Sequence, residues 1–600
     1  MFKRILLCGA LALMSTSTIA GGDPAWGLIV KLKPEASAST ATTDARAQAL
    51  AARPAALGHA RLQAAMQRVG LGGVAHRALP GGMLHHVGTE QVISHEQAQL
   101  LARQLVASGA VEWAVPNERE HLQAVPPNDP YFNNGSGGTQ WWAYAAGGTS
   151  SDPLPQRLRG APNLLPAWAG GTTGSSGPIV AVLDTGLISH EDLDTSRLVA
   201  GQNFHHSVSS SGGLGPIDGN ANDTTDPGDY LTQAEKDAAP VAYANCTVAD
   251  SSWHGTAVTG IIAAHADNGK GIAGANWGVR IMPVRVAGKC GAWESDIIDA
   301  MNWVAGVDNS NVKRADVINL SFGGAGSCDY LYQHAINTLR TNGVVVVVAA
   351  GNEHGAVSRP ANCANVISVA ALNRDGFKAN YSNFGTAVTI ATVGGDPRYR
   401  DPPSNTEPAG VWGPYLGDDG IVTLGNAGKT TASSDLRGYY YYAGTSMAAP
   451  IVSATVALMR GAQPALDVQT ITTALTASVR PHVISSANLI AECSSSNPGR
   501  CICTTNTCGA GILDADRALQ YANGATPPPP AAQNIDSNEV RLAKANTNST
   551  QDSVSAATTT GPAENHGGGG GAFGALALIG LASASAATAR TFRAPRSRKA

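Results

Sequence analysis

The sequence predicts an α/β protein of three layers, a central parallel β-sheet flanked by helices, together with a smaller α+β unit. Three observations carry this. Continuous β-branched runs, too apolar for a solvated face, alternate with helical patterns through the middle of the chain. Polar groups that could do chemistry fall at the ends of such runs and at nearby helix starts, where open parallel sheets carry function. Finally, 600 residues exceed one domain, and 43% hydrophobic with 14% charged residues is a globular composition.

The elements follow in order. Lys3 and Arg4, an apolar run from Ile5 to Met14 and the small-residue site Thr18-Ile19-Ala20 make residues 1–20 a Sec export signal. This predicts a secreted protein. Residues 21–124 form the α+β unit: Leu28–Pro34 alternates as a strand, Glu90–Ala107 has helical period and Val111–Asn117 is strand-like again. Residues 125–523 form the α/β domain. Its first buried strand, Pro178–Asp184, ends in an aspartate and a turn, and a helix starts at His254. Strand Arg280–Val286, helix Glu294–Gly306, strand Ala315–Phe322, helix Asp329–Thr341 and strands Val344–Ala349 and Val366–Leu372 come next, then a helix bearing Ser446 and helix Asp467–Ala477. Residues 524–566, with Pro527–Pro530, read as a flexible, partly polyproline linker. Residues 567–600 hold a glycine run, an Ala/Leu-rich segment Ala572–Ala589 just long enough to span a thin membrane, and a basic end.

Chemistry concentrates in three motifs. Gly444-Thr445-Ser446-Met447-Ala448-Ala449-Pro450 sets a serine where a tight turn enters a helix, at the positive end of the dipole. Pro450 is expected in the first helical turn, where no intrahelical donor is lost. Alone, such a serine is usually a cap. Asp184 at a strand end and His254 at a helix start change that reading, because a serine nucleophile needs a base and a carboxylate to orient it. The order Asp, His, Ser is not that of α/β-hydrolases, and G-x-S-x-G is absent. Asn352, after the run Gly343–Ala350, offers a donor for a developing oxyanion, with the Ser446 N–H as the second.

Taken together these motifs resemble the subtilisin-like serine proteases (subtilases) of the secreted bacterial, thermitase-like branch, over roughly residues 128–521. The resemblance implies a secreted serine endopeptidase that cleaves extracellular proteins through an acyl-enzyme. Ser446 would be the nucleophile, His254 the base and then acid, Asp184 the orienting carboxylate and Asn352 the oxyanion donor. Ser321, Phe322 and Gly323 would form a cleft edge that pairs with an extended peptide. Ala349, Ala350, Gly351 and Ser358 would floor the P1 pocket, with Glu353 at its rim. Residues 21–124 would be a propeptide, acting as chaperone and intramolecular inhibitor until cut near Ala124. Calcium is the implied structural cofactor, held by Asp129, Asp192, Asn268 and the carbonyls of Ala266, Lys270 and Ile272. One residue fewer than in the family separates Asp184 from Asp192, Ala257 stands where many relatives have histidine, and Phe322 where leucine is common. The C-terminal tail is similar to GlyGly-type sorting tails cut by a rhomboid-family protease, which implies a transient membrane or surface anchor.

The acidic loop 218–229 predicts a second calcium site through Asp218, Asn222, Asp226 and Asp229, since unpaired carboxylates would repel. Nine cysteines, less Cys8 in the signal, leave eight, and an even set in an exported chain predicts disulfides. Cys246–Cys290 and Cys328–Cys363 are the expected pairs, while Cys493, Cys501, Cys503 and Cys508 allow three pairings. A net charge of −4 gives no case for nucleic acid. A monomer acting on protein and peptide substrates is expected. The rival reading, a non-catalytic binding protein on this scaffold, predicts loss of Asp184, His254, Ser446 or Asn352.

Overall fold

The computed structural model describes residues 25, 27–33, 60–79, 84–89, 91, 93–117, 126–133, 140–147, 158–307, 312–396, 420–485 and 491–535. The expected export signal, the cut near Ala124, the linker beyond residue 535 and the glycine-run tail lie outside the described residues. The chain divides into two compact units, Met1–His121 and Leu122–Ala600.

In the smaller unit an antiparallel sheet has the strand order His76–Ala78, Leu84–Val87, Leu28–Leu32, Val111–Pro116. Helix His95–Ala107 starts at Ser94, whose side chain and that of Gln97 form a reciprocal capping box. Leu28, Val30, Leu105 and Val111 share its core with Leu62 and Met66 from the helical stretch 60–68. This is an α+β arrangement.

The larger unit is built on a seven-stranded sheet ordered Ile390–Val393, Ile367–Leu372, Val345–Ala349, Val317–Leu320, Ile179–Asp184, Arg280–Arg285, Gln202–Asn203. Every pairing in it is parallel. The side chains show why a three-layer fold results. Val180, Val182, Val345, Val347, Ile367 and Val369 face a core shared with Val258 and Ile261 of helix His254–Ala263 and with Ile451 and Val452 of helix Thr445–Ala462. Ala181, Leu183, Ile318, Leu320, Val346 and Val348 face the opposite core, with Ile297 and Met301 of helix Glu294–Ala305 and Ile336 and Leu339 of helix Tyr330–Thr341. Alternate residues of one strand thus enter two cores, so the strands carry no polar face. Each such aliphatic side chain contributes about 1.5–3 kcal/mol on leaving water.

From strand Ile179–Asp184 the chain first goes out to the edge strand Gln202–Asn203, fills the gap with Arg280–Arg285, then returns to the other side with Val317–Leu320. That reversal opens a crevice at the strand carboxyl ends. Three elements lack a sequence signal. Gln202–Asn203 is a two-residue polar edge strand, and Ile390–Val393 is a short opposite edge. The hairpin Ile421–Asn426 with Arg437–Tyr442 precedes the Ser446 helix, and its aromatic run lacks period-two polarity. The Ile390–Val393 edge is itself covered: Ala391 N donates to Gly511 O at 3.0 Å and Leu513 N to Ala391 O at 2.8 Å.

Candidate active site

Asp184 ends its strand buried, and its carboxylate accepts the Thr185 N–H at 2.8 Å. The same oxygen lies 2.8 Å from Nδ1 of His254, with the other oxygen at 3.0 Å. His254 opens its helix immediately after Trp253, which sits at φ 52° and is fixed by its indole N–H on Gly428 O at 2.8 Å. Burial pulls the imidazole pKa down, but the charge and hydrogen bond of Asp184, with Asp229 and Asp226 adding, leave it raised above 6.5. The ring meets Phe322 edge-on, with centroids 5.5 Å apart.

Ser446 is the second residue of helix Thr445–Ala462, after Gly444. Its Oγ donates to Ser321 O at 3.3 Å, and Ser321 Oγ donates back to Ser446 O at 3.2 Å. The second bond corrects an expectation. Pro450 is the sixth helical residue, past the first turn, so the carbonyl four residues earlier, that of Ser446, receives no helical N–H. The Ser321 hydroxyl supplies the donor. Asn319 donates from Nδ2 to Ser321 Oγ at 3.1 Å and accepts from Ser453 Oγ at 2.8 Å, which ties the helix to the strand end. Ser321 and Phe322 therefore touch Ser446 and His254 respectively, and both catalytic candidates share one short segment.

Asn352 follows strand Val345–Ala349. Its Oδ1 accepts from both the backbone N–H and the hydroxyl of Thr445 at 2.9 Å. With the carboxamide oxygen held by the residue beside Ser446, the remaining end is a donor, as an oxyanion site requires. Behind it Asn383 is the organiser. It donates from Nδ2 to Ala350 O at 3.2 Å, Glu353 Oε2 at 2.6 Å and Ser358 Oγ at 3.1 Å, and it accepts from the N–H groups of Glu353 and Gly355 at 2.9 Å. Gly351 has φ 107°, and a Cβ there would lie 2.3 Å from Asn383 Nδ2, so only glycine fits. Past Phe322, Gly324 pairs with Arg359 through N–H···O bonds of 2.9 and 3.0 Å.

The subtilase family model matches residues 175–512, more than half of the chain. The chain belongs to the subtilase family. This subtilase is 36% identical over 495 residues to an extracellular protease of Xanthomonas campestris pv. campestris, covering 81% of the chain and 70% of that relative. It is 31% identical over 452 residues to an extracellular basic protease of Dichelobacter nodosus, covering 74% of the chain and 64% of that relative. Among solved structures it is similar to a protease of Pseudoalteromonas arctica PAMC 21717, with TM-score 0.50 and 36% identity over 66% of this chain and 99% of that one. Family and relatives make this subtilase an extracellular serine endopeptidase.

Asp129, Asp192 and the loop 266–272 come together. Asp129 accepts the N–H groups of Asp267 at 2.8 Å and Asn268 at 3.4 Å. Asp192 accepts Asn268 Nδ2 at 2.8 Å and Ile272 N at 3.1 Å. Burial, with the Asp129 charge adding, pushes Asp192 up to about 7. Among the described residues no lysine or arginine pairs with either carboxylate. No backbone N–H among them donates to the carbonyls of Ala266, Lys270 or Ile272. Two buried carboxylates with idle carbonyl oxygens make a donor set that fits a hard cation.

The acidic loop does not gather as expected. Asp218 pairs with Arg285 Nη2 at 2.6 Å, Asp226 takes the Thr185 hydroxyl at 2.6 Å, and Asp229 takes the Ser252 N–H and Oγ at 2.7 Å. Asn222 turns its N–H onto Asn220 Oδ1 at 2.9 Å. Each carboxylate has its own donor, so repulsion is relieved without one shared ion. The disulfides are Cys246–Cys290, Cys328–Cys363, Cys493–Cys501 and Cys503–Cys508.

Sequence reasoning missed Thr185, Asn319, Asn383, Thr445 and Ser453. They are common polar types in no motif of their own; adjacency to Asp184 and Ser446 is the one signal that marks Thr185 and Thr445.

Proposed function

We propose that this endopeptidase cleaves peptide bonds through Asp184, His254 and Ser446. His254 Nε2 takes the Ser446 hydroxyl proton as Oγ attacks the scissile carbonyl, while Asp184 holds Nδ1–H and stabilises the imidazolium. Asn352 and the Ser446 N–H donate to the oxyanion. His254 then protonates the leaving amine, and water hydrolyses the acyl-enzyme by the same steps in reverse. What supports this reading most is the 2.8 Å His254–Asp184 contact at the sheet edge that also holds the Ser446 helix start. Substrate lies as an extended chain along Ser321–Gly323, with its P1 side chain toward Ala349–Gly351, Ser358 and Glu353.

Calcium is the ion proposed for Asp129, Asp192, Asn268 and the carbonyls of Ala266, Lys270 and Ile272; bound there it neutralises two buried carboxylates and ties residue 129 to the loop. The α+β unit is proposed as the inhibitory propeptide, and the C-terminal tail as a segment removed by a rhomboid-family protease. Among the described residues no helix is long and apolar enough to cross a membrane.

The test is casein hydrolysis and serine-directed inhibitor labelling of wild type and Ser446→Ala, with mass mapping of both ends of the secreted protein. Labelling at residue 446, lost in the variant along with hydrolysis, is expected; unchanged hydrolysis by Ser446→Ala overturns the reading. A secreted form that keeps residues 21–124 or 567–600 ends the corresponding processing proposal.

A further inference from the structure

We infer that Asp226 is a positioning residue for the Asp184–His254 pair, acting through the hydroxyl of Thr185. The inference rests on the proposed triad. The His254 helix starts with a defect: the Trp253 side chain at its N-cap accepts no helix N–H, leaving first-turn N–H groups to be satisfied from outside. Thr185 does this from the neighbouring strand end, its Oγ1 accepting the Gly255 N–H at 3.0 Å.

An N–H can only donate, so the proton of Thr185 must go elsewhere. It goes to Asp226 Oδ2 at 2.6 Å, the length of a hydrogen bond to a carboxylate. The chain of bonds therefore has one direction, from Gly255 through Thr185 to Asp226. Thr185 also donates its backbone N–H to the Asp184 oxygen that faces His254 Nδ1. One residue thus grips the orienting carboxylate with its backbone and the histidine helix with its side chain, and Asp226 sets the rotamer that permits the second grip.

Asp226 is itself held firmly. It is buried, and its other oxygen accepts the Gly228 N–H at 2.8 Å. The flanking backbone is bonded to the turn after Asp184, with Leu187 N on Thr224 O at 2.9 Å and Asp226 N on Leu187 O at 3.3 Å. Gly186 lies so close that a Cβ would sit 2.7 Å from Thr224 O. The ionisable groups around Asp226 are Asp184, Asp229, His254 and Tyr442. Burial pushes the Asp226 carboxyl up to about 7, and where it is ionised its charge favours the protonated imidazole.

Five variants of the secreted enzyme, expressed from the full chain, test this, with thermal unfolding measured on each. Thr185→Val and Asp226→Ala are expected to lower kcat roughly ten- to a hundredfold with KM little changed. The double variant should lose no more than the worse single, because both break one chain. Thr185→Ser should restore kcat, and Asp226→Asn should move the acid limb of kcat/KM to lower pH. Losses that multiply in the double variant, or kcat and acid limb unmoved in folded Asp226→Ala, overturn the inference. If Asp226→Ala does not fold, the near-isosteric Asp226→Asn decides: kcat and acid limb both unchanged from wild type overturn it. A wild type with no hydrolysis sinks the triad reading itself; hydrolysis abolished by Ser446→Ala but indifferent to Asp226 sinks only this one.

Discussion

Single residues set the reaction and its pH range. His254 must be neutral to accept the Ser446 proton, and its pKa is raised. Activity should therefore fall as pH drops through a midpoint above the usual histidine value of about 6.5, measured as the acid limb of kcat/KM. Asn352→Ala keeps the proposed nucleophile but removes the proposed oxyanion donor; kcat should drop about 10²–10³-fold, the range seen when subtilisin itself loses such a donor, with KM nearly constant. A kcat within a few-fold of wild type would remove Asn352 from the chemistry. The residues proposed to react were legible because aspartate, histidine and serine at strand ends and helix starts are individually ordinary but jointly rare. Their supports were not. Thr185, Thr445 and Asn383 act by bonds across the fold, and nothing in the sequence gives the distance between residues 185 and 255.

Elements were legible where burial is complete. The strands around Val180, Ile318, Val346 and Val369 announce themselves because both faces are apolar. The edge strand Gln202–Asn203 has too little hydrophobic surface to do so, and Pro450 fell deeper in its helix than residue preferences suggested. The acidic loop misled for a physical reason: composition shows its carboxylates but not Arg285, Thr185 and Ser252, which answer them one by one. The loop 266–272 carries a sharper expectation. Stripping calcium with EDTA should lower the thermal midpoint, by an amount equivalent to about 2.7 kcal/mol where free calcium had been a hundredfold above Kd. Asp192→Asn should start lower and respond less to EDTA. An unchanged midpoint in EDTA counts against the site.

At the scale of the whole molecule, covalent links divide unequally. Cys246–Cys290 closes 44 residues, whereas Cys503–Cys508 closes 5. On loop-entropy grounds the first should stabilise by about 4 kcal/mol and the second by about 2. Paired serine replacements, compared by thermal unfolding, should show the larger loss at 246 and 290; the opposite order would mean that strain or residual unfolded structure outweighs chain entropy. The layered architecture was legible from alternation alone, whereas the joining of remote segments at the rim was not.

The strap of residues 511–513 along Ile390–Val393 has a meaning beyond stability. On the proposed function the enzyme takes its substrate as bare, outstretched backbone, the form an open sheet edge presents to other copies. A naked sheet margin would invite those copies both to stick and to be eaten. By occupying that margin with its own chain, the molecule withholds from its siblings the shape they are built to seize.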